Sequence, residues 1–127
     1  MAGNLSNYLE DKVLDHILGT TAYTMPTTVY VALYTAAPND AGGGTEVSGG
    51  SYARQTAVFD AASSGATQNT ANIDFVSMPA CTVVAIGIFD ALTSGNLLVW
   101  GTLSTNKSLD AGDTLRIATG DLDISLD

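Results

Sequence analysis

Basic side chains are the scarcest feature of this sequence. Only Lys12, Arg54, Lys107 and Arg116 stand against thirteen acidic residues, giving 4 − 13 = −9 at neutral pH. Nucleic-acid affinity comes mainly from neutralising phosphates with such residues, so a nucleic-acid partner is excluded, and an anionic membrane surface with it. No apolar run approaches the ~18 residues of a spanning helix. The first residues carry neither a basic flank nor an apolar signal core, which predicts synthesis in a host cytoplasm without the secretory route. Cys81 is single, so an intrachain disulfide is excluded. Heptads, collagen-like triplets and internal repeats are all missing.

The 127 residues fit one domain spanning 1–127. The chain is 46% hydrophobic but 13% charged, far below the ~25% charge of ordinary soluble domains. That composition does not fit disorder, which needs few apolar residues and high charge. Apolar residues Leu5, Leu9, Val13, Ile17 and Leu18 recur at helical spacing. Asn7 is the expected N-cap, with Glu10 three residues on as in a capping box, and Gly19 suits the left-handed position past the end. This predicts an amphipathic helix over residues 8–18. Its stripe must dock, on its own sheet or on a partner subunit.

Beyond Gly19 the period changes to that of strands. Residues 28–35 (TVYVALYT) are apolar on both parities, as in a strand covered on both faces. The glycine-rich stretch 38–50 has almost no large side chains and reads as a long exposed loop, ordered by neighbouring subunits. Further strands are predicted at 52–59, 69–75, 82–89, 97–103 and 114–118, with residues 60–68 a loop. Gly87 within the most apolar strand predicts a bulge or a close backbone approach. In the last strand Leu122, Ile124 and Leu126 alternate with Asp121, Asp123, Ser125 and Asp127, one dry face and one acidic wet face. About seven short strands and one helix predict a mainly β fold, an antiparallel β-sandwich or related barrel, with the β domain at 28–127.

No constellation for catalysis emerges, so the chain is read as non-enzymatic. A thiol nucleophile would need Cys81 beside the single histidine, His16. His16 near a helix end and Cys81 as a small buried hydrophobe account for those two residues without such a dyad. Asp110 and Asp113 flank a turn, which asparatate side chains favour for its own sake. Calcium wants six to eight oxygens, and no loop of that kind is present. No metal or other cofactor is expected. Trp100 is a ligand platform or an edge aromatic.

The sequence resembles a family of tailed-bacteriophage virion proteins commonly labelled tail fibre proteins. The carriers are residues 5–10 (LSNYLE), 29–38 (VYVALYTAAP), 41–54 (AGGGTEVSGGSYAR), 85–91 (AIGIFDA), 94–98 (SGNLL) and 112–114 (GDT). The resemblance implies a structural part of a phage particle and transfers no catalytic residue.

Physics then bears on where in the particle the chain sits. A domain this long has a radius of gyration of ~14 Å, a knob or plug and not a fibre. Its negative charge opposes a place facing packaged DNA. These points predict a decoration (cement) protein on the exterior of the capsid shell, bound to the major capsid protein, as a homo-oligomer or lattice-bound copy. A tail fibre or tail tip component, contacting tail proteins, and a host-surface glycan-binding module are the alternatives. Leu5, Tyr8, Val47 and Tyr52 are the expected contact residues.

Overall fold

A computed structural model describes residues 4–126. The strands, in order, are β1 (Asn4–Leu5), β2 (Val29–Ala36), β3 (Thr45–Glu46), β4 (Gln55–Ala57), β5 (Ala66–Gln68), β6 (Ile73–Phe75), β7 (Cys81–Phe89), β8 (Leu97–Leu109), β9 (Leu115–Ile117) and β10 (Asp123–Ser125); the helix α1 is Asn7–Ile17. All pairings are antiparallel. The main sheet runs β1-β8-β7-β2-β3, and β4 shares the outer edge of β2 with β3. Two small sheets, β10-β5 and β6-β9, complete the fold. The chain is mainly β with one N-terminal helix, as its patterning predicts.

The main sheet is covered on both faces. On one side Val31, Leu33, Val83, Ile86 and Ile88 meet Ile73, Phe75, Met78, Leu115 and Leu122 from the small sheets and their loops. On the other side Ala32, Tyr34, Ala85, Phe89 and Leu97 form a second, smaller cluster, with Val84 and Trp100 against it. Consecutive residues of β2 therefore serve opposite clusters, which is why that strand has no polar parity. Gly87 belongs to the crowded second face. A Cβ there would lie 2.9 Å from Leu97 Cδ1 and 3.0 Å from Tyr34 Cε2, the close approach expected of it.

Several expectations shift. The N-cap is Ser6, whose Oγ accepts from the Leu9 amide at 3.2 Å; Asn7 is the first helical residue, so Glu10 falls one position too late for a capping box. Ser6 wins because it is doubly held: its amide donates to Leu98 O at 2.8 Å, and its hydroxyl donates to Leu97 O. Gly19 closes the helix with φ +79°, and the Thr20 amide donates to Asp15 O at 2.9 Å, a Schellman end. Docking is confined to the first turn. Leu5, Tyr8 and Leu9 pack on the core, whereas Leu14, Ile17 and Leu18 are exposed.

The predicted strand at 52–59 shrinks to β4, because Tyr52 and Arg54 are used sideways rather than in a ladder. Residues 60–68 hold β5, and β8 runs six residues past its predicted end. In the last strand Leu122 is buried, Asp121 and Asp123 are exposed, and Leu126 is also exposed; Asp127 lies outside the described residues. No described helix is long and apolar enough to cross a membrane.

Candidate functional site

The glycine-rich segment is the largest departure from expectation. It is tied to its own chain and not left for a neighbour to order. Asn39 and Gly42 exchange backbone hydrogen bonds of 2.8 Å, and the Ala41 amide donates to Asn39 Oδ1 at 2.9 Å. Gly44 has φ +72°, and a Cβ there would lie 2.6 Å from Ala36 O. Only glycine lets the chain double back that tightly. The return brings β3 beside β2, with Glu46 opposite Tyr34. Val47 follows as a core residue, 5% exposed, its amide donating to Leu33 O at 2.9 Å.

Glu46 is the hub of a polar network. Arg54 grips it with two parallel hydrogen bonds, Nε to Oε2 and a terminal nitrogen to Oε1, each 3.0 Å. Such a fork is among the stronger charge-assisted contacts. Tyr52 Oη donates to Glu46 Oε2 at 2.7 Å and accepts from the Leu33 amide at 3.0 Å. The Tyr52 ring stacks on Phe75 at 6.1 Å. Burial would push the Glu46 carboxyl up, but the hydrogen bonds from Arg54 and Tyr52 outweigh it and hold the carboxyl below its ordinary value. The Tyr52 phenol is pushed up by burial and by its bond to Glu46. Arg54 also donates to Ala91 O at 3.0 Å and Ser94 O at 2.8 Å, clasping the β7–β8 turn.

Above this network lies an open cleft of about 500 Å³. Its walls are the start of α1 (Ser6, Asn7, Tyr8), the bare glycines 42–44 and the turn residues Gly95 and Asn96; Tyr34, Glu46, Arg54, Phe89 and Leu97 also line it. The walls are joined: the Asn7 amide donates to Asp40 O at 2.8 Å, and Trp100 Nε1 donates to Asp40 Oδ1 at 2.9 Å. Trp100, paired with Asn4 of β1 on one side and Gly87 of β7 on the other, is thus a half-buried aromatic inside the sheet that anchors the loop.

The four expected contact residues separate. Tyr8 lines the cleft. Leu5 is half-buried in β1 against the core, Tyr52 is half-buried with its hydroxyl spent, and Val47 is buried. Sequence reading misses Tyr34, Asp40, Glu46 and Arg54, since nothing local marks residues that meet only after the loop folds back. The other candidates resolve as structure. The Asp110 amide donates to Asp113 Oδ2 at 2.8 Å, the turn interaction expected of that pair. His16 Nδ1 accepts from the Tyr23 amide at 3.0 Å, and Cys81 pairs with Leu109 at the opposite end of β7 from the Phe89–Leu97 pair. Among the described residues no three His, Cys, Asp or Glu side chains converge as metal ligands.

One family model matches the sequence over residues 4–125, that of the podophage GP4 fiber I protein gp80. No curated protein matches it.

Proposed function

Because the chain belongs to the podophage GP4 fiber I protein family, we propose that it is a non-enzymatic module of the tail fibre of a short-tailed phage. The observation that carries this is a match reaching across residues 4–125, nearly the whole sequence. It favours the fibre alternative over the capsid decoration expected from charge and size. The two are compatible with the same physics: a unit of ~14 Å radius without heptads is no shaft by itself. It works as one bead among others, joined to other tail proteins and to copies of itself on the virion exterior. The acidic balance suits that place.

Antibody-gold labelling of intact virions, with particles grown without the chain, tests the reading. Label should collect on fibres at the tail. Particles lacking the chain should fill with DNA and keep their heat resistance, but adsorb poorly to cells. Label spread over the whole shell, with capsids that burst at lower temperature, would overturn it in favour of decoration.

A further inference from the structure

The exposed apolar side chains of this molecule gather at one place. Of eight large ones among the described residues, four fall between residues 14 and 25: Leu14, Ile17, Leu18 and Met25. The other four, Val58, Val76, Leu92 and Leu126, stand singly along the chain, as surface hydrophobics ordinarily do. Leu14, Ile17 and Leu18 share the outward side of α1 at spacings of three and four. His16 Nδ1 accepts from the Tyr23 amide at 3.0 Å, which folds the chain back against the helix end. Met25 follows two residues later, a reach of at most ~7 Å. No residue of α1 is buried. A helix of this length is marginal by itself, and one docked turn leaves its second half without cover.

What covers the stripe must suit its charges. By the angular step of a helix, Lys12, Asp15 and His16 fall on the side away from Leu14, Ile17 and Leu18. Glu10 and Asp11 do flank the outward side, but ~10 Å back along the axis from Ile17. A foreign partner lying along the whole helix would have to bring cations to both. A copy of the same stripe needs none if the helices meet at their C-terminal halves, because the acidic turns then point apart. Each lies ~20 Å from its counterpart, beyond the ~8 Å Debye length of physiological salt. The area is adequate too. The four side chains are 52%, 65%, 73% and 78% exposed, which gives roughly 500 Å² per copy and about 1,000 Å² for a pair, the least a specific interface needs. We infer that the C-terminal half of α1, with Met25, is where this chain docks on another copy of itself. The inference rests on the proposed function for the contact between copies, to which it gives a surface. Its test uses the free chain, so its failure is distinct from any result on virions.

The test is sedimentation equilibrium of the full chain over a concentration series. The mass should rise above that of the monomer. Added salt should raise it further, by screening the repulsion between copies of charge −9. Ile17→Asp and Leu18→Gln should each weaken association about tenfold or more, the worth of one buried aliphatic side chain. Leu18 is the C-cap, so its variant keeps the test open if Ile17→Asp disturbs the helix. Val58→Asp, at an exposed residue outside the patch, should change nothing. Under mild oxidation Ile17→Cys should cross-link to its copy and Glu10→Cys should not, with the native Cys81 present in both. A chain that stays monomeric at every concentration would leave the stripe to a different virion protein and overturn the inference. So would association that survives both stripe variants or weakens with salt, or equal cross-linking by Glu10→Cys.

Discussion

Arg54 lies over the ring of Phe89, its guanidinium carbon 3.7 Å from the ring centroid, while its nitrogens hold Glu46. One side chain thus joins the glycine-rich segment, the end of β7 and the turn after it. The guanidinium combines a planar fork for the carboxylate with a flat face for the ring, which lysine cannot reproduce.

Arg54→Ala should therefore be among the most damaging single substitutions. Arg54 is nearly enclosed and Glu46 partly so, with side chains 8% and 29% exposed, and removing the arginine leaves Glu46 with the Tyr52 hydroxyl alone, at a cost of about 2 kcal/mol, below that of a fully buried pair. Arg54→Lys should recover only part of this. Urea unfolding midpoints of the three proteins check the order; equal midpoints for lysine and arginine would remove the argument from geometry.

Stability should fall in acid through Glu46. Its carboxyl titrates lower in the folded chain than in the unfolded one. The contribution is full above the unfolded value of about 4.3 and is lost as pH falls through the lower folded value. Glu46→Gln should be less stable at neutral pH and show a shallower acid limb. Unfolding followed across pH 2 to 6 reads both slopes, and parallel slopes would count against it. The exposed Asp74–Arg116 pair, 2.7 Å apart, should matter little by comparison.

Asn69 should prove a core residue in polar form. It is 1% exposed. Its amide donates to Ala71 O and Ala118 O, and its Oδ1 accepts from the Gly120 and Leu122 amides. Asn69→Ala removes four hydrogen bonds worth about 1 kcal/mol each, a loss of about 3–4 kcal/mol. Asn69→Asp should also destabilise, by facing two carbonyls with a carboxylate. Thermal unfolding that moved little in either variant would mean water substitutes for the side chain.

Gly87→Ala tests the crowding of the second face. The new methyl would press on Leu97 and Tyr34, and overpacking of this kind costs about 1–3 kcal/mol. Leu97→Ala in the same background should relieve part of it, so the two changes should be less than additive. Strict additivity in denaturant unfolding would show that the clash is absorbed elsewhere.

Limited proteolysis should spare residues 40–50, because Glu46 and Val47 bind that segment to β2. The exposed stretch 61–66 should be cut first. First cleavage within residues 40–50 would restore the view of that loop as free.

Periodicity by itself determined the helix and the strands β2 and β7, while residue chemistry marked the turn at Asp110 and Asp113 and left Gly87 as a bulge or a close approach, of which the structure shows the close approach. These rest on neighbours in sequence or on side chains that suit one backbone shape. Of the six residues added to β8, five are polar and carry no strand signal; Lys107, Ser108 and Leu109 are strand because β7 lies beside them. β3 and β5 are likewise too short and polar to announce themselves, and exist through pairing with β2 and β10. The helix shows the same division. Its apolar stripe was legible throughout, but only tertiary packing decided that the first turn docks while Leu14, Ile17 and Leu18 face outward. Glu46 was a charge in a glycine-rich stretch and Arg54 one in a predicted strand until the reversal at Gly44 brought Glu46 alongside Tyr34. Hydrophobic pattern is a local property of the chain, whereas a cleft is made by residues whose distance apart is set only when the loop closes.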